Sequence, residues 1–202
     1  MLLTGAACGT SGGKKEITKA DLAKAVPTAD ELGSGFRRNK ADETDQNQGT
    51  KLNIPPQCKS LINSEPKSKK RVRRSFKDGM GRKLDFTVAA TKKSLASVEK
   101  AAKGCKKVSF SDGSNRGIAR IDLKPLHGIG DRADTVDIEI SLTQPLSLTI
   151  KVHGVLATRG DIGMIVVGTD AVDSQGNVTT FDHSVVDKAG RKLDQRVKDL
   201  QS

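Results

Sequence analysis

The chain has 202 residues, with 35 lysines and arginines against 24 aspartates and glutamates, giving a formal net charge of +11. Such a charge favours an anionic partner: a membrane surface, an acidic wall polymer or nucleic acid. There is no Trp or Tyr and there are five Phe, which argues against nucleic acid, because single-strand binders stack bases on aromatic rings. No run of eighteen apolar residues exists, so no helix is expected to span a bilayer.

The chain begins with a short apolar run, Met1-Leu2-Leu3, then the small residues Gly5-Ala6-Ala7, then Cys8. Thr10-Ser11-Gly12-Gly13 follows as a flexible spacer. This pattern resembles the end of a bacterial lipoprotein signal peptide. The resemblance implies cleavage before Cys8, diacylglycerol on its thiol, and a protein tethered to the outer face of the cell membrane. Met1–Ala7 supplies the tail of the apolar core that a signal requires. The alternative is a free thiol at a frayed terminus. Three cysteines are an odd number for an exported protein. Lipidation of Cys8 leaves Cys58 and Cys105 as a pair, and a bridge between them would close a loop of about 47 residues, worth roughly 4 kcal/mol. The alternative is two reduced thiols in a cytosolic protein. We therefore read residues 1–14 as signal remnant and spacer and 15–202 as one domain, long enough to bury a core.

A first helix is expected over Ile17–Val26, with Thr18 as N-cap, Asp21 in its first turn and Pro27 as its stop. One helical turn at 28–32 ends at Gly33, and a strand begins near Phe36. The polar stretch 41–51 reads as a loop. Pro55-Pro56-Gln57-Cys58 opens a short helix. The next segment is very basic: Lys67, Lys69, Lys70, Arg71, Arg73 and Arg74 are candidates for contact with an anion. The competing reading is a solvated strand edge, which cations protect from pairing. Val72–Phe76 and Leu84–Ala89 form a hairpin across a Gly-rich turn. A helix capped by Thr91 shows Leu95, Val98, Ala101 and Ala102 on one face and ends at Gly104, directly before Cys105.

The second half alternates with period two. Ile118–Leu123, Val136–Leu142, Leu146–Val152 and Ile162–Thr169 predict an antiparallel meander with one buried face. A helix from about Asp182 to Leu200 carries Val185, Val186, Ala189, Leu193, Val197 and Leu200 at helical spacing, with Lys188, Arg191, Lys192, Arg196 and Lys198 outward. Its apolar face is expected to cover the sheet. The fold class expected is α+β: an antiparallel sheet meander with amphipathic helices packed on one face.

The order of these features resembles the PknH-like extracellular sensor domain of actinobacterial receptor kinases and related envelope lipoproteins. The likeness lies in the Leu22…Thr28-Ala29-Asp30-Glu31-Leu32-Gly33-Ser34-Gly35-Phe36 opening, Pro55-Pro56-Gln57-Cys58, the helix ending in Gly104-Cys105, and the strands and terminal helix that follow. It covers roughly residues 17 to 200. Typical members carry a second cysteine pair in the last strands, absent here. The resemblance implies a ligand-sensing module and brings no ligand residues with it.

No HExxH, GxSxG, P-loop or GxGxxG motif occurs. His127 stands in a loop with Asp131 and Asp134, a combination that either binds a metal or is satisfied within the loop; the second is the expectation. His153 alternates within a strand and reads as a satisfied sheet residue. Asp137 and Glu139 share one strand face, read as the solvent face. We expect no catalytic residues, no metal centre and no cofactor. The reading is a lipid-anchored, non-catalytic, sensor-like protein of the cell envelope that contacts an anionic lipid, glycan or envelope protein. The rivals are a basic cytoplasmic nucleic-acid-binding protein and an envelope hydrolase, the latter needing a cleft that gathers His127 or His183 with carboxylates.

Overall fold

The computed structural model describes residues 16–33, 35–43, 53–58, 68–90, 99–100, 102–111, 116–144 and 147–202. Cys8, Lys67 and most of the helix expected after Thr91 lie outside them; residues 99–100 and 102–103 are helical. The framework is an antiparallel sheet of eight strands: β1 (Arg37–Arg38), β2 (Arg71–Lys77), β3 (Lys83–Ala90), β4 (Lys107–Ser111), β5 (Arg116–Pro125), β6 (Arg132–Gln144), β7 (Leu148–Arg159) and β8 (Ile162–Thr169). Their order across the sheet is β1-β2-β3-β8-β7-β6-β5-β4. Two short strands, β9 (Ala171–Val172) and β10 (Val178–Thr179), pair separately. Among the described residues, the α-helices with both ends defined are α1 (Lys19–Ala25) and the terminal α2 (His183–Gln201). The expected α+β class and the meander are the observed ones.

The local signals act as expected. Thr18 and Asp21 close a reciprocal capping box at α1, satisfying two of the donors that a helix start leaves unpaired. The β2–β3 turn is held by Asp78, whose Oδ1 accepts from the N–H groups of Met80 and Arg82 at 2.9 and 3.0 Å. Asp182 caps α2 by accepting from Ser184 N–H at 2.9 Å.

α2 buries Val186, Ala189, Gly190, Leu193, Asp194 and Val197, one helical face. Each large apolar side chain so covered contributes about 2 kcal/mol. The floor beneath consists of Leu84, Phe86 and Val88 from β3, Met164 and Val166 from β8, and Val155 and Ala157 from β7. Leu22, Ala25 and Val26 extend this core from the α1 end. Close approach of helix and sheet depends on Gly168: a Cβ there would stand 2.5 Å from a Val186 methyl and 2.9 Å from the Phe181 ring. Arg159 on β7 locks the far half of α2 by donating twice to Asp194, at 2.7 and 2.8 Å. Burial pushes the Asp194 carboxyl up, but the Arg159 pair and the Gly130 N–H outweigh it and leave it lowered.

The sheet does not keep one apolar face throughout. Leu84, Gly168, His153, Asp137 and Asp122 form a single row on the side that α2 covers. The row is apolar at β3 and charged at β5 and β6. Beyond β7 the apolar residues Ile121, Ile138, Ile140, Ile150 and Val152 stand on the opposite side, as strict alternation requires. The Cys58–Cys105 disulfide, with a Cα–Cα separation of 5.7 Å, is the centre of a second cluster with Ile54, Val108 and Phe110. The pairing expected for those two cysteines is present.

Candidate functional site

Among the described residues two places gather chemistry, and they lie on different strands. The first is the basic stretch. Lys19 of α1 and Arg71, Arg73 and Arg74 of β2 line a groove of about 450 Å³ together with Ala20, Ala23, Glu43 and Val72. Its acid, Glu43, takes two hydrogen bonds from Arg38 at 2.7 and 2.6 Å and lies 3.6 Å from Arg74. The Arg38 contact is the main reason the Glu43 carboxyl titrates below its ordinary range. Lys70 turns away to Glu16 at 2.5 Å and to the Ile17 carbonyl. Lys69 is exposed and outside the groove. Of the six cations singled out in the sequence, three arginines border one concavity at the free edge of β2, Arg74 on the side that α1 covers and Arg71 and Arg73, by alternation, on the other. β1 pairs with β2 across Phe76 and Lys77, so the strand-edge reading of Arg71–Arg74 also describes the geometry.

The second place is where α2 begins. His153 sits in β7, 6% exposed. Its Nδ1 lies 2.6 Å from Asp137 Oδ1 on the neighbouring strand, and its Nε2 lies 3.1 Å from Asp187 Oδ1 on α2. His183, the first residue of α2, stacks on the His153 ring with centroids 4.2 Å apart and planes 8° from parallel. Its Nδ1 is 3.9 Å from the same Asp137 oxygen. The expectation that His153 is a satisfied sheet residue holds in that both ring nitrogens have partners. Asp137 is drawn into this cluster, whereas Glu139, on the same side of β6, pairs with exposed Arg120 at 3.0 Å. A groove of about 330 Å³ runs from the cluster along β5–β7, lined by Arg120, Asp122, Asp137, Glu139, Lys151 and His183 among others.

Asp187, and the meeting of His153 with His183, were not expected from the sequence. One signal for them exists: His183 and Asp187 stand four residues apart, which puts them on one face of a helix. The cross-strand half of the cluster depends on register, which spacing in sequence does not supply. His127 is exposed, and its two neighbours are used elsewhere. Asp131 Oδ2 accepts from Gly160 N–H at 2.7 Å. Asp134 is buried against Glu99, and burial first, then that neighbouring carboxyl, pushes it up to about 6.

The fold defines a class: a large antiparallel sheet with a long C-terminal helix laid across it. A solved structure of an uncharacterised Mycobacterium smegmatis protein, the ortholog of Rv0999, is similar to this chain with a TM-score of 0.54 and 13% identity, over 94% of this chain and 100% of that one. No family model and no curated protein matches the sequence.

Proposed function

We propose that this is an exported, lipid-anchored, non-catalytic binding module of sensor type at an actinobacterial cell envelope, and that its ligand is an anionic lipid or glycan. The observation that carries the reading is the groove between α1 and β2. Four cations line it with one carboxylate, and that carboxylate is already engaged by Arg38. A phosphate or acidic sugar meets a net positive wall there. The fold of the mycobacterial neighbour and the layout shared with the PknH-like domains support the setting. The Cys58–Cys105 bridge supports export, because such bridges persist in oxidising compartments. Cys8 supplies the anchor: two acyl chains beside a basic surface hold a protein stably on a bilayer. A hydrolase reading has the His183–Asp137 groove in its favour, but no Ser, Thr or Cys is among the described residues lining it, so a serine- or cysteine-type mechanism finds no nucleophile there.

The groove is tested with phosphatidylglycerol vesicles against neutral ones. Each cation near an anionic surface contributes about 1 kcal/mol, so the double substitution Arg71→Gln, Arg73→Gln should weaken binding roughly thirtyfold, with the melting transition recorded alongside because both arginines also hold contacts within the chain. Raising salt should weaken the wild type in parallel. Equal affinity for both vesicle types, or an unaffected variant, would remove the reading. The anchor is tested separately. Labelled palmitate should enter the chain in an actinobacterial host, and Cys8→Ala should abolish the label and release the protein from membranes. Label retained in the variant would place the lipid elsewhere, and a wild type that takes up no label would remove the anchor.

A further inference from the structure

We propose that Asp137, His153 and His183 form a site for one divalent transition-metal ion of the zinc type, with Asp187 as its orienting partner. One ligand atom from each of the three side chains lies within 4.8 Å of the others. Metal–ligand bonds of about 2.0–2.2 Å place neighbouring tetrahedral ligands about 3.4 Å apart. The His153–Asp137 pair at 2.6 Å must therefore open slightly, and the 3.9 Å from His183 to Asp137 must close slightly. The His183 ring, parallel to that of His153, must also turn out of the stack, because an ion lies in the plane of each imidazole that binds it; its side chain is 46% exposed and that of Asp137 38%, which leaves both room to move. His153, packed at the edge of the core, is the fixed member.

Three features distinguish this cluster from a chance meeting of polar side chains. First, each His153 nitrogen faces a carboxylate oxygen. A singly protonated ring donates at one nitrogen and leaves two acceptors opposed at the other. A proton on both ring nitrogens resolves that opposition, and so does a metal cation at Nδ1 once the pair has opened. Second, Asp187 accepts from the His153 nitrogen that does not bind the ion. Metal-ligating histidines almost always have such a carboxylate, which fixes the tautomer and ring plane. Third, the ligands come from rigid elements: a cross-strand pair on β6 and β7, and the start of a nineteen-residue helix. The positive end of the helix dipole, equivalent to roughly half a charge, opposes a cation there. The two full negative charges of Asp137 and Asp187 exceed it.

Two imidazoles with a carboxylate select Zn²⁺ or its neighbours over Mg²⁺ and Ca²⁺, which prefer oxygen ligands. His183 and Asp137 also line the 330 Å³ groove. The coordination position left over after three protein ligands thus faces an opening that a water molecule or an anion can enter, with Arg120 and Lys151 nearby.

The test uses the untagged full chain and Co²⁺ as a spectroscopic stand-in, followed by competition with Zn²⁺. We expect uptake of one Co²⁺ per chain, with visible ligand-field bands of four-coordinate nitrogen–oxygen ligation, displaced by one equivalent of Zn²⁺ and unmoved by excess Mg²⁺. His183→Gln, a change at a half-exposed position, should abolish the bands while the thermal melt of the apoprotein is retained. Asp187→Asn should keep the bands and lower the affinity about 10–100-fold. Absence of stoichiometric uptake, or full uptake in His183→Gln, would overturn the site. Undiminished affinity in Asp187→Asn would remove the orienting role.

Discussion

Removing the Cys58–Cys105 bridge is expected to lower stability by about 4 kcal/mol, from the entropy of a closed loop whose ends are 47 residues apart. For a domain of this size that corresponds to a fall in melting temperature of roughly 10 °C. The double substitution Cys58→Ala, Cys105→Ala and reduction of the wild type by dithiothreitol should give the same shift. The loss should also be uneven. The second cluster consists of the two cysteines, Ile54, Val108 and partly buried Phe110, while α2 and β7–β8 belong to the larger core. Among the described residues, backbone hydrogen bonds between Asn53 and Ser111 at 2.8 and 3.3 Å also hold residues 53–58 to β4. Amide exchange should therefore accelerate first in residues 53–58 and β4, and least in β8 and α2. A melt unchanged by reduction, or uniform acceleration, would show that the bridge is not what fastens this segment.

The same contrast explains how much could be read from sequence. α1 and α2 were legible because capping and helical spacing are local: Thr18–Asp21 and the series Val186, Ala189, Leu193, Val197 need no partner to be recognised. The meander was legible because alternation is also local. What alternation leaves open is which side of the sheet each apolar set faces. One buried face was the economical reading, yet β7 changes allegiance along its length. Ile150 and Val152 point away from α2; Val155 and Ala157 point toward it. His153 stands at the change, where the core side begins and a charged partner is still in reach. Its partners come from β6 by register and from α2 by tertiary packing, 16 and 34 residues away, so no short motif announced them. The basic segment was legible as charge but not as shape. Lys70 is spent on Glu16, and Lys19, from a different element, completes the groove.

Asp134→Asn is expected to stabilise the protein at neutral pH and to do nothing in acid. Asp134 is 7% exposed, and its Oδ2 and the Glu99 Oε1 are both buried without a donor. A carboxyl so placed keeps its proton more readily, and Asp134 is raised from 3.8 to about 6. Between those values the folded chain holds a proton that the unfolded chain has already released. Stability therefore falls as pH rises through the window from about 4 to about 6, and it stays lowered above it. A rise of that size corresponds to at most about 3 kcal/mol. Asparagine has no proton to lose, and its amide can donate to the Glu99 oxygen at every pH. Glu99 keeps its ion pair with Arg132, formed through its other oxygen, so the substitution leaves that contact intact. Urea denaturation should show wild type and variant nearly equal at pH 4. By pH 7.5 the variant should be ahead by up to about 3 kcal/mol, the gap opening across the window. A constant gap at all pH values would mean that packing separates the two proteins. A wild type more stable than the variant at pH 7.5 would mean that the ionised carboxylate has a cation partner in solution stronger than Arg132 and Lys103, the two that now oppose the rise.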